Sequence, residues 1–274
     1  RLAVPAMRAG RHTLVCAPTG SGKTLCAFIS VLDELVRERE AGTLLDGVRC
    51  VYVSPLKALG RDIERNLVGP LGEILGEAAG GIRVGMRTGD TTAGARARML
   101  RVPPHVLITT PESLALCLAN EKMRGHLAGV RTVIVDELHS VAASKRGVDL
   151  SVSLERLSWL VMKAGGADPV RVGLSATIAP LERMAEFLVG SEASGRTCAI
   201  ADASFERRME LVVEAPFTTT PFATSAVITR RVYEILEETI RRNRTTLVFT
   251  NTRAATERVT FALRKRLKAR AEAA

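Results

Sequence analysis

The sequence lacks the features that would indicate a membrane, secreted or metal-binding protein. It has no run of about 18 apolar residues, which a membrane helix needs, and its first ten residues are too broken for a secretory signal. Its five cysteines are scattered without metal-ligand spacing, and most lie in apolar runs. We therefore expect a cytoplasmic protein whose cysteines are reduced and lie in the core.

Aromatic residues and lysines are also scarce. Aromatics make up 4% of the chain and Trp159 is the only Trp, so no platform for stacking nucleic-acid bases is visible. The chain has seven lysines among its 39 Lys and Arg residues, and Lys23 is the only lysine before Lys57. Because the chain uses arginine almost everywhere, a retained lysine indicates a place where a compact ammonium is needed.

Positive charge is unevenly distributed. The net charge is +10, but residues 230–274 hold 12 Lys and Arg against 5 Asp and Glu, which leaves little excess elsewhere. Such a run fits a solvated helix face as well as a phosphate track. Charge alone therefore does not select a partner.

Short apolar runs alternate with helical patterns along most of the chain. Each run is too short for a helix and lacks strict alternation, as expected for strands buried on both faces. The predicted strands are 13–17, 50–54, 82–86, 106–109, 132–136 and 170–174, and the helical stretches include the segment after Lys23, 56–68, 112–119, 148–162 and 180–189. This order predicts an α/β fold with a mainly parallel sheet flanked by helices, in which ligands bind at the carboxyl ends of the strands.

The alternation of apolar runs and helical patterns stops at about residue 190 and resumes at residue 224. We expect a first domain over residues 1–197, a connector over 198–223 and an incomplete second domain over 224–274. The last range predicts helix 224–242, strand 245–250 and helix 253–268. One such cycle is too short for an independent α/β domain, and the sequence also opens without Met, so we expect both ends to be clipped.

The strongest motif is Ala17-Pro18-Thr19-Gly20-Ser21-Gly22-Lys23-Thr24, between a strand and an amphipathic helix. Glycines let backbone N–H groups turn toward phosphates, and the start of the helix adds a positive field. Lys23 is predicted to reach the β- and γ-phosphates of ATP, and the Thr24 hydroxyl to bind Mg²⁺. Ala17 stands where a first glycine is usual.

Two further strand ends carry candidate chemistry. The segment Thr132–His139 delivers Asp136 and Glu137 to the edge where the glycine-rich loop lies; Asp136 is predicted to hold Mg²⁺ through water and Glu137 to orient and deprotonate the attacking water. The segment Gly173–Thr177 ends a third strand. The Ser175 and Thr177 hydroxyls are able to form hydrogen bonds to the strand that carries the carboxylates and to respond to its state. A turn or a helix cap is equally consistent with this segment.

The motifs APTGSGKT, SPLKAL, TGD, TTPES, DELH, SAT and VFTNTR occur in this order and together resemble the motif series of superfamily 2 helicases. SPLKAL and DELH are similar to the Ski2-like group. Ser144-Lys145-Arg146-Gly147, followed by Ser153-Leu154-Glu155-Arg156-Leu157, resembles the large helicase-related (Lhr) family. The resemblance implies a P-loop NTPase fold of the RecA-like type, with the start of a second RecA-like domain.

The resemblance also implies roles by position. His139, Ser175, Ala176 and Thr177 are expected to couple the state of ATP to the grip on a strand. The expected track for a single strand is Ser54, Pro55, Lys57, Thr88, Gly89, Asp90, Thr110 and Pro111 in the first domain, with Thr250, Asn251 and Arg253 in the second. Hydroxyls, backbone N–H groups and a few cations suit contact with phosphates, which positions a strand without reading its bases.

The leading hypothesis is an ATP-dependent, Mg²⁺-dependent translocase on single-stranded DNA, with 3′–5′ polarity implied by the resemblance. The resemblance also implies arginines from a later motif, absent here, so we expect slow hydrolysis from these residues alone. An RNA-remodelling ATPase that binds RNA or a DNA/RNA hybrid is a rival, because no residue reveals a 2′-hydroxyl contact. A nucleotide-binding module without turnover is another. Protein partners are not indicated.

Overall fold

The computed structural model describes residues 2–18, 20–55, 81–176, 180–190, 194–203, 210–216 and 224–271. The chain divides into two compact units, Arg1–Arg208 and Met209–Ala274. Each is described here by itself.

The first unit is built on a parallel sheet, whose described strands follow the order β3-β4-β2-β5-β6-β1-β7. The strands are β1 (His12–Cys16), β2 (Cys50–Val53), β3 (Val84–Arg87), β4 (Val106–Thr109), β5 (Thr132–Val135), β6 (Val170–Ser175) and β7 (Cys198–Asp202). The helices are α1 (Val4–Arg8), α2 (Lys23–Glu40), α3 (Ala93–Arg101), α4 (Pro111–Ala119), α5 (Glu121–Leu127), α6 (Leu138–Ala142), α7 (Lys145–Lys163) and α8 (Leu181–Val189).

Apolar side chains cover both faces of this sheet. On one face Phe28, Val31 and Leu35 of α2 pack against strand residues such as Tyr52 and Ile134. On the other face the strands pack against the apolar sides of α4 to α8. Burying one large apolar side chain contributes about 1.5–3 kcal/mol, so this two-sided burial is what holds the central strands. The predicted α/β class with a mainly parallel sheet is confirmed.

The register of the strands aligns their carboxyl ends at one edge. Val53 pairs with Val135 of β5 and with Thr109 of β4, and Cys16 pairs with Ser175 of β6. Backbone bonds continue this alignment past the strand ends, because Asp136 N donates to Val53 O at 2.9 Å and Ala17 N to Ser175 O at 3.2 Å. The segments that follow these strands therefore begin side by side.

The first unit contains one strand and four helices that the sequence pattern did not predict. β7 occupies Cys198–Asp202, the first residues of the range assigned to a connector, and pairs with β1. Its apolar run, Cys198–Ala201, is only four residues long and follows a polar stretch. The helices α1, α3, α5 and α6 were not anticipated. The predicted helix 56–68 lies outside the described residues.

The second unit contains α9 (Ser225–Arg242) and α10 (Arg253–Ala271), as the pattern predicted. The strand prediction for 245–250 is wrong: that segment is irregular, with Leu247 and Phe249 exposed. A strand requires a hydrogen-bonded neighbour, and none of the described residues of this unit supplies one. Across the described helices of both units, none combines the length and the apolarity that crossing a bilayer requires.

All five thiols are free. Those of Cys16, Cys50 and Cys117 are buried, and those of Cys26 and Cys198 are half-buried. Burial raises the pKa of Cys16, Cys117 and Cys198 to about 11. They are unreactive core residues, as the sequence indicated.

Candidate functional site

The glycine-rich segment forms the loop between β1 and α2. Gly20 and Gly22 have φ values of 78° and 83°, in the left-handed region that suits glycine. Gly22 is the N-cap of α2, so the loop leads directly into the first turn of an 18-residue helix. The first N–H groups of a helix have no partner within it, which makes this a suitable place for an anion.

Lys23 is the first residue of α2 and its side chain is buried, although it carries an ammonium group. Its Nζ donates to the backbone oxygens of Ala17 and Pro18 at 2.7 and 3.0 Å. These two bonds hold the ammonium against the loop. An ammonium has three N–H donors, so a further donor remains for a ligand of the loop.

Asp136 follows β5 directly and is almost completely buried. Its Oδ1 accepts the backbone N–H of Glu137 at 2.8 Å, and its Oδ2 accepts the hydroxyl of Tyr52. Burial, followed by the Asp136 carboxylate, raises the pKa of Tyr52 far above its ordinary value, and a smaller effect of the Thr24 side chain lowers it. The phenol is therefore a proton donor, and it links β2 to the end of β5.

Glu137 has φ 46° and ψ 42°, and it is the only residue other than glycine with positive φ in the described part of the chain. Side chains rarely adopt this conformation, which costs about 1 kcal/mol. This backbone conformation is held by two hydrogen bonds. Glu137 N donates to Asp136 Oδ1, and Ser140 N donates to Glu137 O at 2.8 Å. The strained backbone turns the second carboxylate away from the direction of the strand.

His139 joins the end of β5 to the end of β6. Its Nδ1 accepts the backbone N–H of Ala176 at 3.2 Å and lies 3.3 Å from Ser175 Oγ. Its Nε2 lies 3.2 Å from Glu137 Oε2. Because a backbone N–H can only donate, Nδ1 carries a lone pair and the proton lies on Nε2, facing the carboxylate. The imidazole thus contacts two of the predicted motifs at once.

The described track residues of the first unit lie at the same edge of the sheet, after β2, β3 and β4. Ser54 is buried, and its N–H donates to Thr109 O at 2.9 Å. The Thr110 hydroxyl caps α4, which begins at Pro111. Thr88, Gly89 and Asp90 form a turn in which Thr88 N donates to Thr91 Oγ1 at 2.9 Å. Some of these hydroxyls therefore already shape the backbone.

Arg146 connects two parts of this edge. Its Nε donates to Glu112 Oε1 at 2.6 Å, and its Nη2 donates to the backbone oxygen of Pro55 at 2.9 Å. Gly147 fits closely beneath it, because a Cβ atom there would lie 2.3 Å from Val141 O at the end of α6. The Lys145–Gly147 segment is thus fixed to α6 on one side and to the loops after β2 and β4 on the other.

The second unit places its predicted residues at the start of α10. The Thr250 and Thr256 hydroxyls lie 2.7 Å apart, and Arg253 Nε donates to Glu257 Oε1 at 3.3 Å. Asn251 is exposed in the same turn. Thr19, Lys57 and Thr177 lie outside the described residues.

The sequence did not lead us to name Tyr52, Arg146 or Glu112 as candidate site residues, although Glu112 and Arg146 lie within two of the quoted motifs. Tyr52 could have been recognised from its position near the carboxyl end of an otherwise aliphatic strand, since a buried phenol needs a hydrogen-bond partner. Arg146 and Glu112 are far apart in the chain, and no local pattern predicts their contact.

The family model and the relatives that match this chain are helicases, in agreement with the order of its motifs. The DEAD/DEAH box helicase family model matches residues 1–184. The chain is 50% identical over 272 residues to the ATP-dependent helicase Lhr-Core of Methanothermobacter thermautotrophicus, covering 97% of this chain and 31% of that protein. It is 40% identical over 284 residues to the Lhr helicase/uracil glycosylase of Escherichia coli, covering 94% of this chain and 18% of that protein.

A solved structure has the same fold. The helicase Lhr of Mycobacterium smegmatis, bound to ssDNA and AMP-PNP, matches with a TM-score of 0.75 and 40% identity, covering 98% of this chain and 33% of that one. The chain spans about a third of the length of the archaeal Lhr-Core relatives.

Proposed function

The chain belongs to the DEAD/DEAH box helicase family, and from this premise we propose that it is the nucleotide-binding part of an ATP-driven translocase on single-stranded DNA. The similarity to a helicase structure bound to ssDNA and AMP-PNP supports this choice of strand and nucleotide. A 3′–5′ direction, with displacement of the complementary strand, is part of the same proposal.

The observation that carries the proposal is the alignment of three strand ends, in which Ala17 N donates to Ser175 O and Ala176 N donates to His139 Nδ1. It brings the start of the glycine-rich loop and the segment after β5 to one edge of the sheet. Lys23 is the buried cation of this edge, and Asp136 and Glu137 are its carboxylates. A nucleotide triphosphate needs a cation and N–H donors on one side and a metal site on the other, which is the arrangement proposed here.

The residues present fit Mg²⁺. This ion prefers oxygen ligands and keeps several waters, so one or two protein oxygens suffice. Thr24 offers a hydroxyl and Asp136 a carboxylate.

Separate residues bind the phosphates, activate the water and position the second carboxylate. Lys23 and the N–H groups of the loop bind phosphate, and bound Mg²⁺ supplies charge neutralisation there. Glu137 orients a water and accepts its proton. His139 donates to the Glu137 carboxylate and so fixes the direction of the second carboxylate relative to Asp136.

We assign coupling to the contact between His139 and the end of β6. A shift of Glu137 on reaction moves the imidazole, and its Nδ1 is bonded to Ala176 N. Ser175 O in turn accepts the N–H of Ala17, at the start of the glycine-rich loop. The three strand ends are therefore connected by hydrogen bonds, and Thr177 belongs to this role by resemblance.

Nucleic acid is proposed to bind along the loops after β2, β3 and β4 of the first unit, and the start of α10 is proposed by resemblance as a contact of the second unit. The relevant residues are Ser54, Pro55, Lys57, Thr88, Gly89, Asp90, Thr110, Pro111, Thr250, Asn251 and Arg253. Contacts of this kind are to phosphates and sugars, so binding is expected to depend on salt and little on sequence.

The test measures linkage between the two ligands of the 274-residue chain. The affinity for a fluorescent AMP-PNP analogue is determined with and without a single-stranded DNA oligonucleotide, and then with RNA of the same sequence. A tighter nucleotide complex in the presence of DNA, and reciprocally a tighter DNA complex with nucleotide, supports the proposal. Linkage to RNA instead supports an RNA-remodelling ATPase. Nucleotide binding without linkage contradicts the proposal, and binding of ATP without hydrolysis, even in a chain extended through the second domain, favours a module without turnover.

A further inference from the structure

The buried phenol of Tyr52 reaches a residue of the neighbouring strand. β2 and β5 are adjacent, and Tyr52 pairs in register with Ile134. Side chains two residues apart on a strand point to the same face, so Asp136 follows Ile134 on the face that Tyr52 occupies. The Tyr52 side chain is fully buried and its hydroxyl donates to Asp136 Oδ2.

The position of the ring is set by α2. Tyr52 stacks on Phe28 with ring centroids 5.0 Å apart and an interplanar angle of 20°. Thr24 precedes Phe28 by one helical turn and lies on the same side of α2. Thus the hydroxyl that donates to Asp136 belongs to a ring that is held by the first turns of α2.

We propose that Tyr52 is a positioning residue that orders Asp136 for metal binding, an inference that rests on the proposed function. With Oδ1 bonded to the Glu137 N–H and Oδ2 to the phenol, the Asp136 carboxylate is held against rotation. Removing the hydroxyl frees Oδ2 while the stacked ring stays in place. Loss of such a supporting partner typically weakens metal affinity by about 10–100-fold.

The experiment compares Tyr52→Phe with Tyr233→Phe in the 274-residue chain. Tyr233 is the only other tyrosine and lies on α9 in the second unit, so its variant removes the same atom away from the site. Binding of a fluorescent ADP analogue in EDTA reports on the glycine-rich loop, and Mg²⁺ is then titrated into the complex with a fluorescent AMP-PNP analogue. Thermal unfolding is measured for each protein.

For Tyr52→Phe we expect unchanged ADP affinity in EDTA and a Mg²⁺ requirement raised about tenfold, with Tyr233→Phe like the parent. An unchanged Mg²⁺ requirement in Tyr52→Phe overturns the inference and leaves the proposed function intact. If the parent binds no nucleotide at all, the proposed function fails first, and this inference with it.

A second measurement does not require Tyr52→Phe to fold. The parent chain is labelled with 3-fluorotyrosine, and its two ¹⁹F resonances are assigned through Tyr233→Phe. Adding Mg²⁺ to the nucleotide complex is expected to shift the Tyr52 resonance and leave that of Tyr233 in place. A Tyr52 resonance that does not respond to Mg²⁺ contradicts the inference even if Tyr52→Phe does not fold.

Discussion

His139 accepts the backbone N–H of Ala176 through Nδ1 at 3.2 Å, and so ties the helix after β5 to the end of β6. The same ring faces Glu137 Oε2 through Nε2. A short helix, α6, begins between the two carboxylates and this histidine. We therefore expect a change at Glu137 to be transmitted to Ala176 through the imidazole ring of His139.

We expect His139→Ala to separate nucleotide binding from its linkage to DNA. Lys23 and Asp136 make no bond to this ring, so nucleotide affinity is retained, while the coupling free energy, typically about 1–3 kcal/mol, falls toward zero. The measurement is nucleotide affinity with and without single-stranded DNA. His126→Ala is the control, since His126 Nε2 lies 3.1 Å from Leu100 O, away from the site. If His139→Ala retains the full linkage between nucleotide binding and DNA binding, coupling through the His139 ring is ruled out.

Lys23→Ala is expected to weaken nucleotide binding by about 2–3 kcal/mol, because it removes charge-assisted hydrogen bonds to phosphate. Equilibrium titration with a fluorescent ATP analogue measures the loss. Lys163→Ala removes an exposed lysine whose Nζ lies 4.6 Å from the centre of the Trp159 ring, and it should bind nucleotide normally. Equal affinities for the two variants would count against the assigned role of Lys23.

Much of this architecture follows from local pattern. The apolar strand before Lys23 and the glycines at 20 and 22 suffice to predict a strand, a loop and a helix, because each depends on neighbouring residues only. β7 was missed because the apolar run Cys198–Ala201 is short and lies between polar segments, and its place in the sheet depends on pairing with β1. Contacts such as that of Tyr52 with Asp136 depend on strand order, which the sequence alone does not specify.

His105 is expected to make the first unit less stable in mild acid. Burial, and then the nearby Arg83 guanidinium, lower the pKa of His105 from 6.5 to about 4. Between these values the unfolded chain binds a proton that the folded chain does not, so the free energy of unfolding is complete above pH 6.5 and decreases as the pH falls toward 4.

The expected decrease is of the order of 1–3 kcal/mol, measured by urea unfolding at pH 7.0, 5.5 and 4.5. His105 Nδ1 accepts the backbone N–H of Arg83 at 3.0 Å, a bond that a glutamine oxygen is able to replace. His105→Gln should therefore show a shallower pH dependence over this range. Parallel curves for the two proteins would assign the acid sensitivity to other groups.

Glu155→Gln is expected to destabilise the first unit by about 2–4 kcal/mol, since it leaves a buried cation without its counter-charge. Arg171 is 2% exposed in β6, and its Nη1 donates to Glu155 Oε1 at 2.9 Å. Arg196 donates to both oxygens of the same carboxylate.

Chemical unfolding of each variant checks this value. Glu186→Gln is the matched control, because Glu186 pairs with Arg183 on the exposed face of α8 and such pairs contribute at most about 1 kcal/mol. If both glutamine variants lose the same small amount, Arg171 is stabilised by Ser158 and the backbone oxygen of Leu188 without needing the carboxylate.

Arg146 is expected to support the nucleic-acid track by geometry rather than by charge. Its guanidinium bonds Glu112 and the backbone oxygen of Pro55 together, and lysine cannot reproduce this fork. We therefore expect both Arg146→Ala and Arg146→Lys to lower the affinity for single-stranded DNA about tenfold, which is about 1.4 kcal/mol, with nucleotide affinity unchanged. Arg183→Ala removes an exposed arginine of α8 and should bind DNA normally. Near-normal binding by Arg146→Lys alone would show that the positive charge, and not the bridge between the two loops, is what the strand requires.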